Sequence, residues 1–184
     1  MYKIYVEKNP DRLTESCESC IIKEISNGPR RLAVCGAQGE FDMEEKKKIT
    51  RRSESRELAF KLLFAKEFNS EADADAFYEE YLDITEEPGS SYAKRVFTGA
   101  CASLGELDDM IEKAAENWRV SRMSVAARSV LRLAAYEMTA GEAPPKVVIN
   151  EAVELSKRYD EEAAPSFVNG ILNRIARERG LIEE

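Results

Sequence analysis

The chain has 184 residues, a formal charge of −8 and no histidine, with a pI of about 4.9. That length is enough to bury a real core, while the acidic balance excludes a protein that coats nucleic acid indiscriminately, because such coating needs a broadly positive field. The missing histidine removes the commonest general base, proton shuttle and zinc ligand together, and no apolar run approaches the roughly 18 residues of a membrane span. A cytosolic, non-enzymatic protein with no membrane partner is expected.

Residues 1–43 read differently from the rest. "MYKIYVEK" has the pattern of a short strand, but "SNGPRRLAVCGAQGEF" is interrupted by Gly28, Pro29, Gly36 and Gly39 and keeps no period. A poorly ordered extension is expected there, with Met43 able to serve as an alternative start. Cys17, Cys20 and Cys35 fall in this segment and Cys101 lies far away in a helical stretch. A Cys-x-x-Cys pair with one further nearby cysteine is an incomplete ligand set, so no metal site or cofactor is assigned.

From about Thr50 the helical period takes over. Leu58, Leu62, Ala65 and Phe68, widened by Ala59, Leu63 and Phe64, form the apolar face of a first helix. Arg51, Arg52 and Arg56 crowd its start, where the helix dipole prefers acids; such a local violation points to a use outside the fold, or to a solvated basic stretch. Residues 71–87 carry eight acids and no Lys or Arg, and Phe77, Tyr78, Tyr81 and Leu82 give them one apolar side, so a short second helix is expected before Pro88-Gly89.

A third helix is expected over Ser91–Leu104 and a fourth over Glu106–Trp118, the latter with Leu107, Ile111, Ala114, Ala115 and Trp118 as its stripe. Arg119, Arg122, Arg128 and Arg132 make a second basic run. Ser124 is the expected N-cap of a fifth helix, Val125–Thr139, which Gly141 ends. Pro144-Pro145 introduce a sixth helix and Pro165 opens a seventh. Asn169-Gly170 is a hairpin-turn dipeptide, yet Val168, Ile171, Leu172 and Ile175 run a helical stripe straight through it. The expected reason for Gly170 is close approach of another helix backbone. The whole reads as an all-α bundle.

Five stretches, "RRSESRELAFKLLF", "ELDDMIEKAAENWRVSRMS", "SVLRLAAYEM", "PPKVVINEAVELSKRY" and "SFVNGILNRIA", resemble in order and spacing the NusB family of bacterial transcription antitermination factors. The resemblance implies seven helices in two small bundles, over about 50–104 and about 105–180 of a domain spanning 44–184. It implies binding of single-stranded boxA RNA together with the ribosomal protein NusE, within the antitermination complex of RNA polymerase on ribosomal RNA operons. It also implies an RNA surface at the start of the first helix, here Arg51, Arg52 and Arg56. Lys94, Arg95, Arg132 and Lys146 join that surface as candidates; Arg132 can equally form an ion pair with Glu137 or Glu151. Two positions depart from the family pattern, Ala127 where Asp is common and Ser166 where Lys or Arg is usual. The alternative is a protein-interaction module whose basic patches face solvent, or a homodimer that self-associates through a face such as that of Phe60 and Phe64, in either case without direct RNA binding. Related helical domains also precede ribosomal RNA cytosine methyltransferases, but no Gly-rich strand-to-helix loop for a cofactor is present.

Overall fold

A computed structural model describes residues 51–69, 71–116 and 118–182. The expectations for residues 1–43, with Cys17, Cys20 and Cys35, lie outside the described residues. Seven α-helices follow one another: α1 (Arg52–Lys66), α2 (Ala74–Thr85), α3 (Ser91–Ala102), α4 (Leu104–Ala115), α5 (Val125–Thr139), α6 (Pro145–Tyr159) and α7 (Ala164–Glu178), with one 3-10 turn at Val120–Arg122. No strand occurs among the described residues.

The helix ends follow from local chemistry. Asp73 caps α2 by accepting from Ala76 N at 3.0 Å, Ser90 caps α3 by accepting from Ala93 N at 3.2 Å, and Ser124 caps α5 by accepting from Ala127 N at 3.0 Å. Gly141 closes α5 with φ +69°, a left-handed backbone that a Cβ would oppose. Pro145 sits in the first turn of α6, where its missing N–H costs nothing.

Helices α1, α2 and α3 pack on one another, α4, α6 and α7 pack around α5, and α5 also lies against α1 and α3. One apolar cluster therefore runs through the described chain, including Leu58, Leu62, Phe97, Ile111, Leu131, Met138, Leu172 and Ile175. Burying a side chain of this size is worth about 1.5–3 kcal/mol against leaving it in water.

Three expectations are corrected. Helix α1 ends at Lys66, so Phe68 falls beyond it and is 71% exposed. Helix α4 stops at Ala115, before a Glu116 with φ +40°, so Trp118 leaves the α4 stripe and packs edge-on against Phe167 at 5.9 Å. Gly170 does lie inside a helix, but a Cβ built there meets nothing within 4 Å, so it is not a packing joint. That role belongs to Gly99 on α3, where a Cβ would lie 2.8 Å from Tyr136 Cε2 and closer still to its Cζ and hydroxyl. The α3–α5 crossing is thus the tight one, and Tyr136 fills the space a side chain at 99 would need.

Candidate nucleic-acid interface

The capped start of α3 places Tyr92 against both α1 and α5. Ser90, the α3 cap, is itself fixed: its hydroxyl donates to Ser55 Oγ at 2.8 Å, and its backbone N–H donates to the Tyr78 hydroxyl at 2.9 Å. Two residues on, the buried Tyr92 hydroxyl donates to Glu137 Oε1 of α5. Glu137 is 1% exposed and its two carboxylate oxygens accept from Arg56 Nε at 3.0 Å each. Arg56 Nη1 also lies 3.7 Å from Glu151 Oε2, so this one α1 side chain faces groups on α3, α5 and α6.

Burial pushes the Tyr92 hydroxyl up to about 12, with the Glu137 carboxylate adding to the shift. Burial likewise pushes the Glu137 carboxyl up, while the hydrogen bonds and charge of Tyr92 and Arg56 pull it back. The arrangement is a buried ion pair, stable because each charge faces a partner. The expectation that Arg56 lies on the RNA surface is corrected. It is 4% exposed and committed to Glu137, because one turn along the same face from Arg52 the chain passes under α3 and α5, and its place is beneath the surface rather than on it.

Above this buried layer sits an exposed rim. The Arg52 guanidinium lies over the Tyr92 ring at 4.6 Å and that of Arg95 over the same ring at 5.5 Å, a cation–π arrangement that holds two like charges against one aromatic ring. Both reach Glu142 in the α5–α6 loop. Arg52 Nη1 donates to its backbone carbonyl at 3.0 Å; Arg95 Nε and Nη2 donate to its two carboxylate oxygens at 2.7 and 2.8 Å. The hydrogen bond from Arg95 is the main cause that holds the Glu142 carboxyl below the usual carboxylate range. Arg51 is exposed beside Glu54 at 3.6 Å, and Lys146 is exposed in the first turn of α6, just past the same loop.

The other candidates are placed elsewhere. Lys94 extends from α3 toward α2, 2.8 Å from Glu79 and 3.4 Å from Asp75, which leaves its charge matched on the acidic side. Arg132 does form an ion pair, but with neither Glu137 nor Glu151. It binds both oxygens of Asp108 on α4 at 2.7 Å and also meets Glu67 just after α1. Arg128 meets Glu67 as well, at 2.5 Å. With its side chain 11% exposed, Arg132 is a cross-brace among α1, α4 and α5.

Arg52 and Arg95 are therefore the candidates brought together, at Tyr92 and Glu142, with Arg51 adjacent to Arg52 in the chain and Lys146 four residues past Glu142. Tyr92 and Glu142 belong to the same site, and sequence reasoning does not find them. A tyrosine on an apolar stripe reads as core, and the pairing of Glu142 with Arg95 spans 47 residues, beyond any local pattern. Of the two departures, Ala127 is buried and lines an open groove with Trp118, Met123 and Phe167, while Ser166 is exposed. Phe60 is buried at 2%, but Phe64 is 37% exposed with its ring 5.6 Å from that of Phe68.

The family model for the NusB family matches residues 53–177. A transcription antitermination protein NusB from Sorangium cellulosum is 40% identical over 134 residues, covering 72% of this chain and 96% of the relative. The chain is similar to the solved structure of T. maritima NusB, with 41% identity, a TM-score of 0.64 and coverage of 72% and 94% of the two chains. It is also similar to a chain in a crystal structure of antitermination factors NusB and NusE in complex with double-stranded RNA. There the identity is 28%, the TM-score 0.61 and the coverage 69% of this chain and 96% of that one.

Proposed function

The chain belongs to the NusB family, and from that premise we propose that it is a transcription antitermination factor whose arginine rim binds boxA-type single-stranded RNA in concert with the ribosomal protein NusE. It acts by binding alone, in the cytoplasm, as part of the antitermination complex of RNA polymerase on ribosomal RNA operons. The observation that carries the site is the seating of Arg52 and Arg95 against the one Tyr92 ring, with Arg51 next to Arg52 in the chain and Lys146 just past the loop that holds Glu142. A guanidinium fork matches two phosphate oxygens, and its flat face stacks on an unstacked base; a single strand offers both. In a chain of net charge −8, these cations make a local site, while the acidic α2 side repels stray nucleic acid.

The test is a titration of labelled boxA RNA at several salt concentrations, with and without NusE. Replacing Arg51 and Arg52 by Ala should weaken binding at least tenfold and flatten the salt dependence by about 0.7 in log–log slope for each phosphate that is no longer neutralised. Unchanged affinity and slope would reject the rim as the RNA surface. Self-association keeps a place as the second reading because Phe64 and Phe68 leave an aromatic stripe open to solvent. Light scattering with and without RNA separates it: a dimer that RNA dissociates places the two functions in competition.

A further inference from the structure

The rim contains an acid in a place where a phosphate-binding surface gains nothing from one. Glu142 accepts from Arg95 through both carboxylate oxygens, at 2.7 and 2.8 Å. Two oxygens of one group facing Nε and Nη2 is the same two-pronged geometry that a phosphodiester presents. The Glu142 side chain is 18% exposed and that of Arg95 52% exposed, so the carboxylate lies inside the rim and the guanidinium reaches water. Arg52 is held differently, through the backbone carbonyl of the same residue at 3.0 Å, a bond that no side-chain change at 142 deletes.

Resting on the RNA reading above, we propose that Glu142 is a specificity-determining placeholder. Its carboxylate occupies on Arg95 the position that an RNA phosphate takes on binding, and until then it keeps the Arg52–Arg95 pair seated on Tyr92. On binding, the Arg95–carboxylate pair is exchanged for an Arg95–phosphate pair, and the released carboxylate draws a cation from solvent. The cation that the phosphate gives up is thereby taken back, so this exchange adds little to the salt dependence of binding. A ligand that offers only one oxygen, or cannot come close, does not compensate for the broken pair. Weak, nonspecific strands are therefore disfavoured more than a well-fitted one.

The experiment is salt-dependent titration of boxA RNA and of a scrambled single strand of equal length with wild-type protein, Glu142→Gln and Glu142→Asp. Glu142→Gln removes the competing charge and keeps the carbonyl that holds Arg52. It should bind boxA RNA about three- to tenfold more tightly at low salt, gain more for the scrambled strand, and steepen the log–log salt slope by about 0.7. Glu142→Asp restores the charge and should bring the slope back. Arg95→Gln should cost more affinity in the Glu142→Gln background than in wild type. In protein labelled with 15N-arginine, the Arg95 Nε–H resonance gives a readout independent of affinity: it should move when boxA RNA is added, and be displaced already in RNA-free Glu142→Gln. If RNA binds while this resonance stays still, or if Glu142→Gln binds no more tightly with an unaltered slope, the RNA reading stands and the placeholder is overturned. If wild-type protein binds neither strand at any salt, the RNA reading falls and the placeholder with it.

Discussion

Replacing Arg56 by methionine removes the guanidinium that faces Glu137 while keeping most of the side chain's length and apolar stem. In the native protein Glu137 accepts from Arg56 Nε at 3.0 Å through both oxygens and from the Tyr92 hydroxyl, at 1% exposure. The variant leaves one hydroxyl donor for a buried carboxylate. Breaking a buried ion pair from one side typically costs about 3–5 kcal/mol, a large share of the roughly 5–15 kcal/mol that holds a domain folded. At about 3 °C per kcal/mol for a domain of this size, the melting temperature should fall by roughly 10–15 °C.

The pH dependence identifies the cause. Without Arg56 the folded-state pKa of Glu137, already raised by burial, rises further above its unfolded value. The folded variant then holds that proton more tightly than the unfolded chain, so its stability falls as pH rises through the window between the two values. The deficit against wild type should be small in mildly acidic buffer and complete at neutral pH. Arg56→Met combined with Glu137→Leu removes both charges and should recover most of the loss. Urea denaturation followed by far-UV circular dichroism, in acidic and neutral buffer, measures all three proteins. A single variant within about 1 kcal/mol of wild type, together with weakened RNA binding, would falsify the assignment of Arg56 to the core and return it to the RNA surface.

Four further outcomes follow from named residues. Gly99→Ala should destabilise by about 1–3 kcal/mol, because Tyr136 must leave its place at the α3–α5 crossing. Gly170→Ala, with nothing within 4 Å of the added carbon, should instead stabilise by about 0.5–1 kcal/mol; thermal denaturation with the same sign for both would sink the distinction. Ser124→Ala removes the α5 cap to Ala127 N and the bond to Asp160 Oδ2 and should cost about 1 kcal/mol by urea titration. Tyr92, pushed up to about 12 from its usual 10.0, holds its proton more tightly when folded. Its contribution is thus complete below pH 10 and lost as pH rises toward 12. Alkaline unfolding should accordingly begin later in Tyr92→Phe than in wild type relative to each protein's neutral stability, and identical profiles would contradict the shift.

Helices, caps and the arginine-rich start of α1 are legible in the sequence because each is written within a few residues. Ser124 before an apolar 3.6-residue period specifies where α5 begins, and Val125–Thr139 is the helix observed. Orientation across long separations is not legible in the same way. Arg56 is four residues from Arg52, one turn along the same helix, yet α5 offers a carboxylate to the first and the α5–α6 loop a carbonyl to the second. Arg132 faces the same difficulty: its partners, Asp108 and Glu67, sit 24 and 65 residues away. Gly170 misleads for a related reason. A helical glycine signals absence of a side chain, but only the packing of neighbouring helices tells whether that absence is used, and it is used at Gly99.

The charge pattern explains how an acidic chain can present a cationic site without unfolding around it. Three arginines at the start of one helix oppose its dipole and one another. Arg56 is neutralised by burial against Glu137, and Arg52 is spread over Tyr92 and fixed by a carbonyl. Only Arg51 is left largely to solvent, 79% exposed. The repulsion is thereby divided among a core pair, an aromatic face and water. The same division ranks the residues by what their loss should do: Arg56 reports on stability, Arg51 on RNA affinity, and Arg52, tied to both layers through Tyr92, on the two together. A truncation at Arg52 that moved affinity and left stability untouched would separate the layers and show that the fold does not support the site in this way.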